Sequence, residues 1–304
     1  MSLSNCGNPL PNARYVSQIT QGELLCLQIR HPVFSADLLL QGAQLISYAP
    51  LGEDNWLWLS EQAEFRQGVS VRGGIPLCWP WFGNAAMNPD NVRQHIASTD
   101  DAPAHGFARG REWTLTEVDE DDDSLMLVLQ LADTAHEQWQ ASLQGEAEFR
   151  FTASSVSVTL TTENSGSDTV SFSQALHTYF PTADIGTTRI EGFDGCRYID
   201  TLENWKEKIQ AGAITFNGET DRIYFGEDPL TLITNDYSAE LNAQGSQSSV
   251  VWNPWTEKAQ RLSQFADDAY LRMFCVETAN AAADAIRLAP ADSHSMSLLL
   301  TRNQ

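Results

Sequence analysis

The chain has 304 residues, and its 40 acidic against 18 basic side chains give a formal charge of −22, a field that repels nucleic acid and anionic lipid and favours solubility. With 42% hydrophobic residues, including nine Trp, thirteen Phe and seven Tyr, it has the material for a large core, and no stretch reaches the roughly 18 consecutive apolar residues of a membrane span. The opening MSLSNCGNPLPNARY lacks the basic and apolar regions of a secretory leader, which points to the cytosol.

From the N-terminus, runs of β type recur at residues 24–30, 35–40, 43–49, 113–117, 124–131, 147–153, 155–162 and 169–176. They continue at 188–191, 213–216, 221–224, 230–234, 248–253, 270–278 and 295–301. Turn signals such as NSGS (164–167), FDG (193–195) and FNGE (216–219) separate them, the rhythm of antiparallel strands rather than of βαβ units. Helical patterning is sparse, with residues 133–142 the best candidate. The acidic run VDEDDD (118–123) is expected to be a solvated loop. No repeat or linker divides the chain, so the expectation is all-β and one domain over 1–304, a length that β-sandwiches reach as single units. The five Cys, at 6, 26, 78, 196 and 275, are odd in number and form no CxxC pair, which argues for free thiols rather than a disulfide framework or structural zinc.

Four blocks concentrate chemistry. VRGGIPLCWPWFG (71–83) sets Arg72 in an apolar stretch, where a cation needs an anion, either a carboxylate of the fold or a ligand phosphate. Its two adjacent Gly suit a close backbone approach, and neither the Walker nor the dinucleotide glycine spacing is present. Trp79, Trp81 and Phe82 are core anchors or a sugar-stacking platform. APAHGFARGREW (102–113) places His105 and Arg109 four apart, both able to face one cleft if the segment is turned; a histidine satisfied within the core is the alternative. SQALHTYF (173–180) puts His177 at the end of a β-like run, where a side chain can project into a cleft. In LRMFCVET, Glu277 is costly to bury unless it is paired with an Arg or used chemically. Asp200, closing the short run CRYID, is suited to accept hydrogen bonds from vicinal sugar hydroxyls.

Read in order, VRGGIPLCWPWFG, PAHGFARGREW, LHTYF, YIDTLENWKEK, VVWNPWTEKA and VETAN resemble the aldose 1-epimerase superfamily and, within it, the glucose-6-phosphate 1-epimerase family. The resemblance implies a large twisted antiparallel β-supersandwich, galactose mutarotase-like, with few short helices and one open cleft. It implies catalysis by His177 as general acid and Glu277 as general base, with Arg72, His105, Arg109 and Asp200 binding substrate. Ala104 stands where members of the family often carry Gln.

Mutarotation needs these groups on chemical grounds. A base takes the proton of the anomeric hydroxyl while an acid protonates the ring oxygen, the aldehyde carbon turns, and the ring closes on its other face. No metal or organic cofactor is called for. The expected partner is a small sugar phosphate, not nucleic acid or membrane, and the protein is expected to be a monomer or weak dimer. The competing readings are a neutral galactose or glucose 1-epimerase, a non-catalytic carbohydrate-binding protein, and a glycoside hydrolase.

Overall fold

The computed structural model describes residues 10–131 and 134–303; Cys6 and the opening nine residues, and with them the reading of the chain's start, lie outside these. Antiparallel sheets dominate. The helices among the described residues are short, Asp90–Arg93, Trp255–Ala259 and several 3-10 turns, and none is long and apolar enough to cross a membrane.

A meander of Val16–Gln21, Leu24–His31, Phe34–Leu39 and Gln44–Pro50 forms a four-stranded sheet. The largest sheet has nine strands among the described residues. In spatial order they are Ile214–Thr215, Arg189–Glu191, Leu230–Ile233, Ser238–Gln244, Ser293–Asn303, Ser155–Asn164, Leu143–Thr152, Ser124–Leu131 and Thr114–Glu120. Strict alternation holds its centre together. In Ser155–Asn164 every second side chain is buried, and Phe149 sits opposite Val158 on the buried face.

The third sheet carries the site, and its strands are labelled here in chain order: β1 (Leu77–Cys78), β2 (Gln174–Leu176), β3 (Tyr179–Pro181), β4 (Arg197–Asp200), β5 (Lys206–Ile209), β6 (Thr220–Phe225), β7 (Ser248–Asn253) and β8 (Met273–Asn280). Their order is β5-β4-β6-β7-β8-β2-β1, with β3 also paired to β8. Phe274 and Val276 of β8 and Val251 of β7 enter the main core with Phe149, Leu160 and Leu298 of the nine-stranded sheet, so these two sheets form the sandwich. The opposite face of the third sheet is apolar as well, through Cys78, Ala175, Ile223, Val250 and Ala279. Every residue of β8 is buried. Its first half, residues 273–276, reads as a continuous apolar run because it is covered on both sides.

Four expectations are corrected. Residues 134–142 form no helix: His136 and Trp139 bridge each other, Trp139 stacks on Trp81 at 6.0 Å and His136 lies flat on Phe107 at 4.4 Å, contacts that outweigh weak helical patterning; Asp133 lies outside the described residues. Half of the acidic run is strand, since Thr114–Glu120 includes Val118 opposite Leu127. Only 121–123 make the turn, where the Asp121 carboxylate accepts the backbone N–H groups of Asp123 and Ser124 at 2.8 Å. The run 169–176 is split between two sheets, Val170–Phe172 pairing with Ile286–Leu288 and Gln174–Leu176 with β8. The run 270–278 opens as a 3-10 turn, Ala269–Leu271, before β8 begins at Met273.

Candidate active site

The outer face of the third sheet opens into a cleft of about 560 Å³, lined among others by Arg72, His105, Arg109, His177 and Glu277. Glu277 is there by alternation, because Cys275, Glu277 and Ala279 of β8 point away from the core that receives Phe274 and Val276. His177 is there by register. Leu176 pairs with Thr278 and Tyr179 with Cys275, so His177, one residue after Leu176, lies opposite Glu277, one residue before Thr278. Opposed residues of an antiparallel pair share a face, and the ladder is open between β2 and β3, where His177 donates its backbone N–H to Pro76 O at 3.0 Å.

The two side chains are 7% and 2% exposed, with His177 Nε2 3.5 Å from Glu277 Oε1. The anticipated alternative, an Arg salt bridge to Glu277, is not formed. His177 Nδ1, Glu277 Oε2 and Arg109 Nε are buried and have no hydrogen-bond partner among the described residues. Buried polar atoms are seldom left so, and all three belong to side chains lining the cleft.

Burial pushes the Glu277 carboxyl well up, helped by Asp221 and opposed by Arg109. Burial likewise pushes His177 down to about 3, reinforced by the positive charges of Arg109 and Arg72. Both shifts favour neutral groups. The folded His177 therefore binds its proton far more weakly than the unfolded one, and its contribution to stability, present above about pH 6.5, is lost as pH falls from there towards 3. Over that window wild type should lose about 1.4 kcal/mol per pH unit more than His177→Asn. Urea unfolding at pH 7, 5.5 and 4.5 measures this, and parallel curves would contradict it.

Two glycine-dependent loops dock on one another to bring the cations in. Gly74, after Arg72, has φ +65°, and a Cβ there would lie 2.1 Å from Leu45 O. His105 and Gly106 both adopt positive φ, 65° and 71°; Gly106 bridges Trp79, and a Cβ on it would lie 2.0 Å from Trp79 O. His105 N donates to Gly83 O at 2.8 Å, while Gly83 N donates to His105 Nδ1 at 3.3 Å, which leaves the ring proton on Nε2. Burial first, then Arg109, His177, Arg72 and Lys258, hold His105 neutral. Gly106→Ala should cost about 2–4 kcal/mol, whereas Gly218→Ala, with open space around it, should stay within about 0.5 kcal/mol; equal unfolding midpoints would refute the comparison.

Neither Arg72 nor Arg109 has a carboxylate within salt-bridge distance among the described residues. Arg72 Nη1 donates to Tyr179 Oη at 3.3 Å and Nη2 to Ser263 O at 3.5 Å; Arg109 Nη2 donates to Ala104 O at 2.7 Å. Of the expected aromatics, Trp79 and Trp81 are fully buried core and Phe82 lines the cleft.

Asp200 is placed otherwise. It is 4% exposed and does not line the cleft; its Oδ2 pairs with Lys208 Nζ at 3.3 Å and Arg222 Nε at 3.4 Å, and its Oδ1 accepts Leu202 N–H at 3.2 Å. The cause is register: Asp200 pairs with Arg222 of β6, and Arg222 alternates with Asp221 and Ile223, which do line the cleft. Asp221 is thus the carboxylate that the sequence reading missed. Lys258 and Trp252 were missed too, although both lie inside the quoted block VVWNPWTEKA. Lys258 Nζ is neutralised by Glu219 at 3.2 Å and Asp221 at 3.5 Å. Lys208 is half-buried between Asp200 and Glu203. Among the described residues no group of His, Cys, Asp and Glu is arranged to hold a metal ion.

Comparison with known proteins gives a consistent result. The family model for aldose 1-epimerase matches residues 25–301. A protein of Escherichia coli (strain K12), provisionally named glucose-6-phosphate 1-epimerase, is 35% identical over 265 residues, covering 85% of this chain and 84% of its own. A counterpart of the same name from Cenchrus ciliaris is 32% identical over 80% of this chain and 74% of its own. The crystal structure of a Salmonella typhimurium protein, provisionally named a mutarotase, superposes with TM-score 0.86 at 28% identity, over 96% of this chain and 95% of that one. The galactose mutarotase-like protein of Lactobacillus casei, at 14% identity over 91% of this chain and all of its own, shares the fold with TM-score 0.69.

Proposed function

Because the chain belongs to the aldose 1-epimerase family, we propose that it interconverts the α and β anomers of a hexose 6-phosphate, with Glu277 as general base and His177 as general acid. The observation that carries the reading is the buried His177–Glu277 pair, 3.5 Å apart, in one cleft with two guanidinium groups that no carboxylate among the described residues pairs with.

The spacing fits the reaction. Both oxygens to be handled, the anomeric hydroxyl and the ring oxygen, are bonded to one carbon, so acid and base must stand close together. A glycoside hydrolase instead sets two carboxylates about 5 Å or more apart. In the forward step the Glu277 carboxylate takes the hydroxyl proton, an imidazolium N–H of His177 protonates the ring oxygen, and the C1–O bond to the ring breaks as the carbonyl forms. Rotation about the adjoining C–C bond presents the other carbonyl face. On closure the ring hydroxyl returns its proton to His177 while Glu277 protonates the carbonyl oxygen.

In the empty cleft burial favours carboxyl and neutral imidazole. That pair holds one proton in total, and so does the working pair of carboxylate and imidazolium. Arg109 acts on both groups, whereas Arg72 depresses His177 alone, so a phosphate that offsets the Arg72 charge favours transfer of that proton from Glu277 to His177. Arg suits the task through its charge-assisted, bidentate geometry. His105, held neutral with its Nε2–H free, is a donor for a sugar oxygen. The functional unit is one domain, since the cleft draws on residues from Arg72 to Ala282.

Two-dimensional exchange NMR of glucose 6-phosphate at anomeric equilibrium, with glucose and galactose in parallel, tests the proposal. Catalytic amounts of protein should accelerate exchange of the phosphosugar selectively. Acceleration of the neutral sugars alone would move the activity to the neutral-aldose branch, and no acceleration of any sugar would leave a binding protein.

A further inference from the structure

We propose that Tyr179 is a positioning residue that ties the phosphate site to the general acid, holding the His177 ring against its face and the Arg72 guanidinium on its hydroxyl. The inference rests on the hexose 6-phosphate epimerase reading and extends it to a side chain that does not itself line the cleft.

Histidines that exchange protons are commonly oriented by a carboxylate or carbonyl on the second ring nitrogen. His177 lacks that device, because Nδ1 has no hydrogen-bond partner among the described residues. Its plane is set by rings instead. Tyr179 lies parallel to it, with centroids 4.8 Å apart and planes 8° from coincidence, and Trp252 meets it edge-on at 6.2 Å.

Tyr179 is itself fixed on several sides. Its backbone N–H donates to Gly74 O at 2.9 Å, its carbonyl accepts from Trp58 N at 2.9 Å, it pairs with Cys275 in β8, and its ring stacks on Trp58 at 5.8 Å. Gly74 belongs to the loop that presents Arg72, so backbone and hydroxyl both join Tyr179 to the phosphate-binding segment. A purely apolar filler here would be Phe. The hydroxyl, on a residue 2% exposed, accepts from Arg72 Nη1 at 3.3 Å, and burial raises its pKa, so it remains a neutral phenol beside the cation. Anchored at one end to the guanidinium and at the other to the imidazole, this one ring fixes where the phosphate sits relative to the acid.

Two substitutions separate the functions. Tyr179→Phe keeps the stack and removes the hydroxyl; Tyr179→Leu removes both. With Tyr179→Phe the affinity for inorganic phosphate, measured by calorimetry, should fall about tenfold, and KM for glucose 6-phosphate should rise by a similar factor with kcat within about twofold. With Tyr179→Leu kcat should also fall about tenfold or more, because the imidazole loses its support. Phosphate affinity in Tyr179→Phe equal to that of wild type would overturn the proposal, as would equal kcat values in Tyr179→Phe and a folded Tyr179→Leu protein, whether both are reduced or neither is. If wild type accelerates no sugar, the epimerase reading fails, while the phosphate titrations still decide whether the hydroxyl serves Arg72.

Discussion

Glu277→Gln should lower kcat for anomer exchange by about 10²–10⁴-fold while KM changes little. The amide matches the carboxyl in size, so the packing of Glu277 between Val250 and the open ladder at His177 is retained, and only the capacity to take the anomeric proton is lost. Stability should not suffer. The carboxyl of Glu277 sits in a site that raises its pKa through burial, so an uncharged replacement removes a group whose ionised form the fold disfavours. His177→Asn should show a loss of similar size, and the double variant should be little worse than either single one, because acid and base act as a unit. Exchange spectroscopy at saturating glucose 6-phosphate supplies the rates. More than a tenth of wild-type activity in both single variants would show that the acid/base pair lies elsewhere.

Replacing both Arg72 and Arg109 by Ala should raise KM for glucose 6-phosphate by about 10²–10⁴-fold, since each guanidinium gives charge-assisted hydrogen bonds worth about 1.5–3 kcal/mol. Glucose, which has no phosphate, should be affected far less. The singles should differ. Arg72 is held by Tyr179 and the Ser263 carbonyl and should act mainly on KM. Arg109 moves the proton affinities of both Glu277 and His177, so its loss should alter kcat and the pH profile as well. Equal effects on the phosphorylated and neutral sugars in the double variant would remove the phosphate assignment.

The strand rhythm was legible where burial alternates, as in Ser155–Asn164, and where an apolar run is buried nearly throughout, as at residues 124–131 and 248–253, where expected and observed bounds coincide. It failed where a strand is mostly exposed or very short. Val16–Gln21 has a single buried residue followed by exposed ones, and β1 is two residues long. Sequence also marked the cleft residues that are chemically expensive, Glu277 and Arg72, since an ionisable group in an apolar run needs a reason. It had no means of finding which residues oppose one another across strands distant in the chain. That His177 faces Glu277 from a hundred positions away, and that Asp200 turns to Arg222 while Asp221 faces the cleft, are facts of register, and a one-residue slip reverses every such assignment.

The placement of Ser293–Asn303 has a kinetic consequence. This strand follows both of its neighbours in the chain and inserts between Ser238–Gln244 and Ser155–Asn164 in the middle of the nine-stranded sheet. Until it arrives, two inner strands keep unpaired edges, and the core is missing Met296, Leu298 and Leu300. Folding during synthesis is therefore expected to stop short of closure until residues 293–303 have emerged, with two strand edges unpaired, and pairings over such sequence separations are slow to form. A ribosome-bound chain arrested before residue 293 should remain protease-sensitive, and emergence of residues 293–303 should complete the sandwich and the cleft together.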